Sequence, residues 1–218
     1  MARECDLRVY LVTDPRLCAA RGILETVQQA VAGGSRLIQL REKQTSTRDF
    51  VELSRAVMAA LRGTGAKCII NDRVDVALAC KADGVHVGQS DMHPSDARAL
   101  LGSNAILGLS VETLEQAREA EAFDVDYYGV SPVFSTPTKL DTAPPWGLGG
   151  LRNLRASTSR PLVAIGGVTA ANAAELIQAG ADGVAVVSAI CSASDPRLAT
   201  KQLLGAVEDW GRRPQTPA

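Results

Sequence analysis

Histidine is almost missing from this chain: there are two, His86 and His93, in 218 residues. Cysteine occurs five times, at 5, 18, 68, 80 and 191, an odd number with no CxxC pair. Together these argue against a zinc site or a disulfide frame and fit small buried thiols in a reducing cytosol. A basic excess is also lacking. Lys and Arg total 23 against 24 Asp and Glu, a net charge of −1, so neither nucleic acid nor a polybasic membrane contact is expected. No apolar run is long enough to span a bilayer. The start, Met1-Ala2-Arg3-Glu4-Cys5-Asp6, lacks the apolar core of a signal peptide, and a cytoplasmic location is the expectation. Assembly into a homo-oligomer is left open.

What is present is an ordinary soluble composition, 46% hydrophobic and 22% charged, in a length that suits one large domain. Short apolar or β-branched runs recur at Val9–Val12, Leu37–Leu40, Cys68–Ile70, Gly84–Val87, Ile106–Leu109, Tyr127–Val130, Leu162–Ile165 and Val184–Val187. They are continuous rather than alternating, as strands buried on both faces should be. Helical patterns lie between most of them, clearest at 23–32, 46–62, 113–122, 170–179 and 198–210. Residues 45–49, Thr113 and Thr169 offer N-caps, and Gly33, Gly102 and Gly180 offer C-terminal stops. The least regular unit is 74–82. Eight strands with intervening helices predict a (βα)8 TIM barrel over residues 1–210, a single domain, with a frayed tail at 211–218. An open doubly wound sheet would usually carry a Gly-rich fingerprint after its first strand, and Tyr10-Leu11-Val12-Thr13-Asp14-Pro15 has none.

In such a barrel, chemistry gathers where the strands end. After strand two, alternation puts Gln39, Arg41 and Lys43 on one side with Leu40 and Glu42 on the other. Strand three ends at Asn71-Asp72, and strand four leads to Gly88-Gln89-Ser90-Asp91. Asp72 and Asp91 could share Mg²⁺ beside Arg41 and Lys43, although either Asp alone reads more readily as a helix N-cap. Strand five ends at Ser110, which also reads as the entry to a helix. Strand six breaks at Pro132 into Phe134-Ser135-Thr136-Pro137-Thr138-Lys139, where hydroxyls and an ammonium cluster as in a phosphate site or in a plain surface loop. Strands seven and eight end at Gly166-Gly167 and Val187-Ser188, where backbone N–H groups could hold a second anion. Two anion sites in one mouth suggest a transferase. His86 and His93 read as structural, and no His-activated Ser or Cys stands out.

Taken jointly, Gln39-Leu40-Arg41-Glu42-Lys43, Asn71-Asp72-Arg73, the run from Gly84 to Asp91, Ser131-Pro132-Val133-Phe134 with Thr136-Pro137-Thr138-Lys139, Ala164-Ile165-Gly166-Gly167-Val168 and the run from Gly183 to Ser188 resemble thiamine-phosphate synthases. The resemblance runs from about Tyr10 to Ile190. It implies a (βα)8 enzyme joining 4-amino-2-methyl-5-(diphosphooxymethyl)pyrimidine to 4-methyl-5-(2-phosphooxyethyl)thiazole. The products would be thiamine phosphate and pyrophosphate, with Mg²⁺ as cofactor.

Carried over, the segment Gln39-Leu40-Arg41-Glu42-Lys43, with Asn71, Ser110 and Lys139, would hold the pyrimidine diphosphate. Asp72 and Asp91 would bind Mg²⁺, and Thr136, Pro137, Thr138, Gly167, Val187 and Ser188 the thiazole phosphate. Arg41, Lys43, Ser110 and Lys139 would act in catalysis. Ser131 and Ser135 stand where the family often has Gly and Pro, which touches loop conformation more than ligand contacts. Two other readings remain: a related thiazole tautomerase, which would need an acid/base residue such as His at the mouth, and a silent barrel that binds thiamine phosphate. The stretch 134–148 is expected to act as a lid carrying Lys139.

Overall fold

In the computed structural model, which describes residues 5–135 and 144–211, eight parallel strands close into a barrel in sequence order. They are β1 (Val9–Val12), β2 (Leu37–Leu40), β3 (Lys67–Asn71), β4 (Gly84–Val87), β5 (Ile106–Val111), β6 (Tyr127–Val130), β7 (Leu162–Ile165) and β8 (Gly183–Val186). The ring is closed by β1 pairing with β8, with Tyr10 opposite Ala185. Among the described residues the helices are α1 (Ile23–Gly33), α2 (Thr47–Leu61), α3 (Val74–Cys80), α4 (Pro94–Leu101), α5 (Leu114–Ala120), α6 (Gly147–Ser157), α7 (Ala173–Gln178), α8 (Ser188–Cys191) and α9 (Pro196–Gly211). The chain is thus the single-domain barrel that its strand pattern predicts. Helix α9 takes in Gly211, one residue beyond the expected boundary, and residues 212–218 lie outside the described ones.

Two cores follow from the alternation of side chains. Outward residues such as Leu11, Ile38, Leu40, Ile70, Val85 and Leu107 pack under the helices, each fully buried. Each such burial is worth roughly 1.5–3 kcal/mol. Inward residues, among them Tyr10, Leu37, Ile69, Ile106, Tyr127 and Val163, fill the barrel itself. Helix α2 shows how the outer layer is specified. Phe50, Ser54, Val57 and Leu61 are its buried positions, a helical stripe, and the Ser46 hydroxyl caps it by accepting the Asp49 N–H at 3.1 Å. Thr113 caps α5 in the same way through Gln116 N–H, 3.2 Å.

Helix α7 starts three residues later than its pattern suggests. Asn172 Oδ1 accepts the Thr169 N–H at 2.8 Å, and Thr169 O receives the Ala173 N–H at 3.0 Å, so residues 169–172 form a capped turn first. The irregular stretch after β3 is a true helix, α3, with Val74, Val76, Ala77 and Cys80 buried.

At the N-terminal end of the barrel one device recurs. Asp83 donates its N–H to Cys68 O and accepts the Cys68 N–H on its carboxylate, at 3.0 and 2.8 Å. Asp126 grips Leu107 in the same reciprocal way, 2.7 Å each, and Asp182 grips Leu162, 2.8 Å each. Each carboxylate also meets a cation: Lys67, Arg98 and Arg155, all at 3.0 Å. The three clasps tie β3 to β4, β5 to β6 and β7 to β8. Between β1 and β2 the place is taken by Ser35, whose hydroxyl bonds Val9 O at 2.9 Å.

Candidate active site

The C-terminal strand ends open into one cavity of about 450 Å³. On one side stand Arg41 and Lys43 beyond β2, Asn71 and Asp72 at the end of β3, and Asp91 beyond β4, all lining it. Asp72 holds a left-handed backbone, φ 61°, a conformation uncommon for a residue with a side chain. Its carboxylate is aimed across the strand gap at the Lys43 ammonium. Asp91 accepts the Gly88 N–H at 2.8 Å, which folds the loop after β4 back on itself. The residue before α3 is Arg73 and that before α4 is His93, so neither Asp is a helix cap.

The two carboxylates feel each other. Burial first, and then the Asp72 carboxylate, raise the pKa of Asp91, while the Gly88 N–H and Lys43 pull it the other way. A carboxylate raised by burial and by a neighbouring carboxylate belongs to a donor set that a hard divalent cation fits. Among the described residues no group of three or more His, Cys, Asp or Glu is arranged to hold a metal. A pair suits Mg²⁺, which takes few protein oxygens and keeps water and phosphate in its shell. Beside them Asn71 is 7% exposed, and its side-chain Nδ2 has no partner among the described residues. An unmatched buried amide donor at a cavity wall is a place for an acceptor to arrive.

The floor is polar as well. Gln39 is buried and donates through Nε2 to the Tyr10 hydroxyl, 2.8 Å. His86, which reads as structural in the sequence, lines the cavity between the Tyr127 hydroxyl (3.0 Å) and Ser110 Oγ (2.8 Å). Ser110 is still within β5 and points inward. Sequence reasoning passed over Tyr10, His86 and Tyr127 as site residues. The available signal was their inward parity: His86 precedes Gly88 by two, and Tyr127 precedes Ser131 by four, all lining one wall.

Across the barrel, β7 ends in Gly166 and Gly167, with φ of 102° and 66°, and β8 ends in Val187-Ser188, all lining the cavity. A Cβ on Gly167 would lie 2.8 Å from Phe134 Cβ and 3.0 Å from Ser135 O. That leaves no room for a side chain where the β6 and β7 loops meet. The same loops are tied by Val133 N–H to Ile165 O, 2.8 Å, and Phe134 N–H to Gly166 O, 3.1 Å. The Ser131–Pro132 peptide is cis.

Not every expected residue reaches the cavity. Leu40 is fully buried in the outer core, where strand parity turns its side chain, and Glu42, two residues past the end of β2, is not part of the cavity wall. Any contact from Leu40 to a ligand would have to be through its backbone. Thr136, Pro137, Thr138 and Lys139, with most of the expected lid, lie outside the described residues.

A sequence profile described as thiamine monophosphate synthase matches residues 9–190. The chain belongs to the thiamine monophosphate synthase family. Within that family it is 53% identical over 204 residues to the thiamine-phosphate synthase of Albidiferax ferrireducens, covering 92% of this chain and 93% of that protein. It is also 53% identical over 207 residues to the thiamine-phosphate synthase of Xanthobacter autotrophicus, covering 95% and 98%. Among solved structures, thiamine phosphate pyrophosphorylase from Pyrococcus furiosus superposes with a TM-score of 0.85 at 40% identity, covering 94% of this chain and 97% of that one. The family match spans every strand and each described part of the cavity wall but not α9. No helix among the described residues is long and apolar enough to cross a membrane.

Proposed function

We propose that this member of the family condenses 4-amino-2-methyl-5-(diphosphooxymethyl)pyrimidine with 4-methyl-5-(2-phosphooxyethyl)thiazole, releasing thiamine phosphate and pyrophosphate. The observation that carries the reading is the division of one cavity into two unlike anion-binding walls. The ends of β2 to β4 offer Arg41, Lys43, Asn71 and the Asp72–Asp91 pair, while the ends of β7 and β8 offer Gly166, Gly167, Val187 and Ser188. In an eight-strand ring β3 lies opposite β7, so two phosphorylated ligands would meet over the barrel axis.

In this reading the bond that breaks joins the pyrimidine methylene to the diphosphate oxygen. The bond that forms joins that methylene to the thiazole nitrogen. The aminopyrimidine can delocalise the positive charge left on the carbon, so the substitution is dissociative and calls for no nucleophilic side chain. Arg41 and Lys43 hold the departing diphosphate by charge, and the Asn71 amide and Ser110 hydroxyl donate to it or to the pyrimidine. Gln39 closes the floor beneath the ring. Gly167 allows close approach of the thiazole phosphate, and Val187 and Ser188 complete that pocket, which fixes the thiazole nitrogen in line with the methylene. Mg²⁺ would be held by Asp72 and Asp91 and supply positive charge to the leaving group. The family resemblance adds Thr136, Pro137, Thr138 and Lys139 to these contacts and includes Leu40 and Glu42 in the diphosphate segment. Five free thiols fit a cytoplasmic enzyme, and its partners are small phosphorylated molecules.

One observation favours a second reading. His86 is in the cavity wall, where a thiazole tautomerase would want an acid/base group. Both of its ring nitrogens are engaged, by Tyr127 and Ser110, which suits a fixed group better than a proton carrier. The deciding experiment mixes both phosphorylated substrates with Mg²⁺ and follows thiamine phosphate and pyrophosphate. Matched formation of the two supports the synthase. Thiazole tautomer conversion alone supports the second reading, and binding without product indicates a silent barrel.

A further inference from the structure

Four hydrogen bonds run in series along the barrel axis. Gln39 Nε2 donates to the Tyr10 hydroxyl at 2.8 Å. The Tyr10 and Tyr127 hydroxyls are 2.9 Å apart. Tyr127 OH lies 3.0 Å from His86 Nδ1, and His86 Nε2 lies 2.8 Å from Ser110 Oγ. The first link gives the series a direction. An amide nitrogen cannot accept, so the Tyr10 proton has to point at Tyr127, and the Tyr127 proton in turn at His86 Nδ1. A ring whose Nδ1 accepts carries its proton on Nε2 and donates it to Ser110. Ser110 Oγ is then an acceptor on its inner side, and its own proton is free to point into the cavity.

The surroundings preserve that order. Tyr10 and Tyr127 are 1% and 0% exposed, so a hydroxyl proton left without an acceptor would be costly. Burial raises both phenol pKa values well above the ordinary range, which keeps each a donor. The space is cleared by glycine. A Cβ at Gly108 would fall on the Tyr127 hydroxyl and His86 Nδ1, and one at Gly129 would lie 2.9 Å from His86 Cε1. The Tyr10 and Tyr127 rings cross edge to face at 81° with centroids 5.9 Å apart, which fixes the hydroxyls relative to each other.

We propose that Tyr127, backed by Tyr10, is a positioning residue that holds His86 as the Nε2–H tautomer and so presents the Ser110 hydroxyl to the bound substrate as a donor. The proposal rests on the placement of Ser110 in the pyrimidine diphosphate pocket. Its structural part can be read without substrate. With two histidines in the chain, long-range ¹⁵N–¹H spectra of the free protein resolve His86 from His93. The expected pattern for His86 is a bare Nδ1 and a protonated Nε2. Tyr10→Phe leaves Tyr127 able to donate or accept, so the Nδ1–H form should appear beside the Nε2–H form.

The functional part is a double-mutant cycle. Tyr127→Phe should lower kcat by about 3- to 10-fold, the worth of one hydrogen bond, and leave the KM for the thiazole phosphate unchanged. In a Ser110→Ala background the same change should cost less than about twofold, because the group it acts through is gone. Tyr10→Phe should lose about threefold and provides a second variant should Tyr127→Phe fold poorly. A His86 protonated on Nδ1 in the wild type would overturn the proposal, whatever reaction the enzyme performs. Equal losses from Tyr127→Phe in both backgrounds would also overturn it, since they would mark the tyrosine as merely structural.

Discussion

The two ends of the barrel use aspartate in opposite ways. At the N-terminal end Asp83, Asp126 and Asp182 stand apart, each answered by a backbone N–H and a cation. At the C-terminal end Asp72 and Asp91 are set against each other, and the amide of Asn71 beside them has no partner among the described residues. One end settles its charges internally; the other leaves a charge pattern that a ligand would complete. The contrast separates stability from function, and substitutions at each end should divide along the same line.

The largest effect should come from the C-terminal pair. Asp72→Ala or Asp91→Ala is expected to lower turnover on the order of 10³-fold, and EDTA to abolish it in the wild type. Thermal melts of the same variants should move little, because the relief of repulsion between the pair offsets the loss of the Lys43 partner in one and of the Gly88 N–H acceptor in the other. Full activity in EDTA would sink the magnesium assignment. Next come the two proposed anion-binding walls. Arg41→Ala and Lys43→Ala should cost roughly 2–4 kcal/mol, about 30- to 1000-fold, in handling the pyrimidine diphosphate. Gly167→Val should instead weaken the thiazole phosphate, since its φ of 66° and the nearby Phe134 leave no place for a side chain. Steady-state titration of each substrate separates the two, and a common effect on one KM would refute the division.

The N-terminal clasps should behave in reverse. Asp126→Ala removes the buried carboxylate partner of Arg98, whose side chain is 12% exposed, leaving it the exposed Asp124 at 3.2 Å, and strips the Leu107 N–H of its acceptor. It should cost roughly 2–4 kcal/mol in urea unfolding while kcat and KM per folded molecule stay unchanged. The smallest effect belongs to Glu42→Gln. Its side chain is off the cavity wall, and kcat/KM is expected to move by about twofold or less. A large loss there would mean that Glu42 reaches substrate by a route that strand parity does not give.

The barrel could be read in the sequence because strands buried on both faces announce themselves as short continuous apolar runs. Five of the eight have the ends that their runs suggest, and β3, β5 and β8 differ by one or two residues. Helix α6 could not be read so easily. It contains Gly147, Gly149 and Gly150, residues that disfavour helix, and it is held by the burial of Leu151 and Leu154. Alternation brought Gln39, Arg41 and Lys43 to one side of β2. No local pattern could give the Tyr10–Tyr127–His86 series, because its links join residues 117 and 41 positions apart. A tyrosine or histidine inside an apolar strand looks like core until closure of the ring sets it against a partner from another strand.

The clasps have a consequence for how the chain divides. They fall within strand pairs β3–β4, β5–β6 and β7–β8, with Ser35 serving β1–β2, so the ring behaves as four two-strand staves with unclasped seams between them. One seam runs between β4 and β5, and the chain crosses it through Gly102, Ser103, Asn104 and Ala105, which connect α4 to β5. A break there would leave every reciprocal aspartate–backbone clasp within one fragment or the other, and would part Arg98 from Asp126. The two half-rings, produced together, are expected to find each other and close. A cut inside a stave, between α3 and β4, would part Asp83 from Cys68 and should not be repaired in this way.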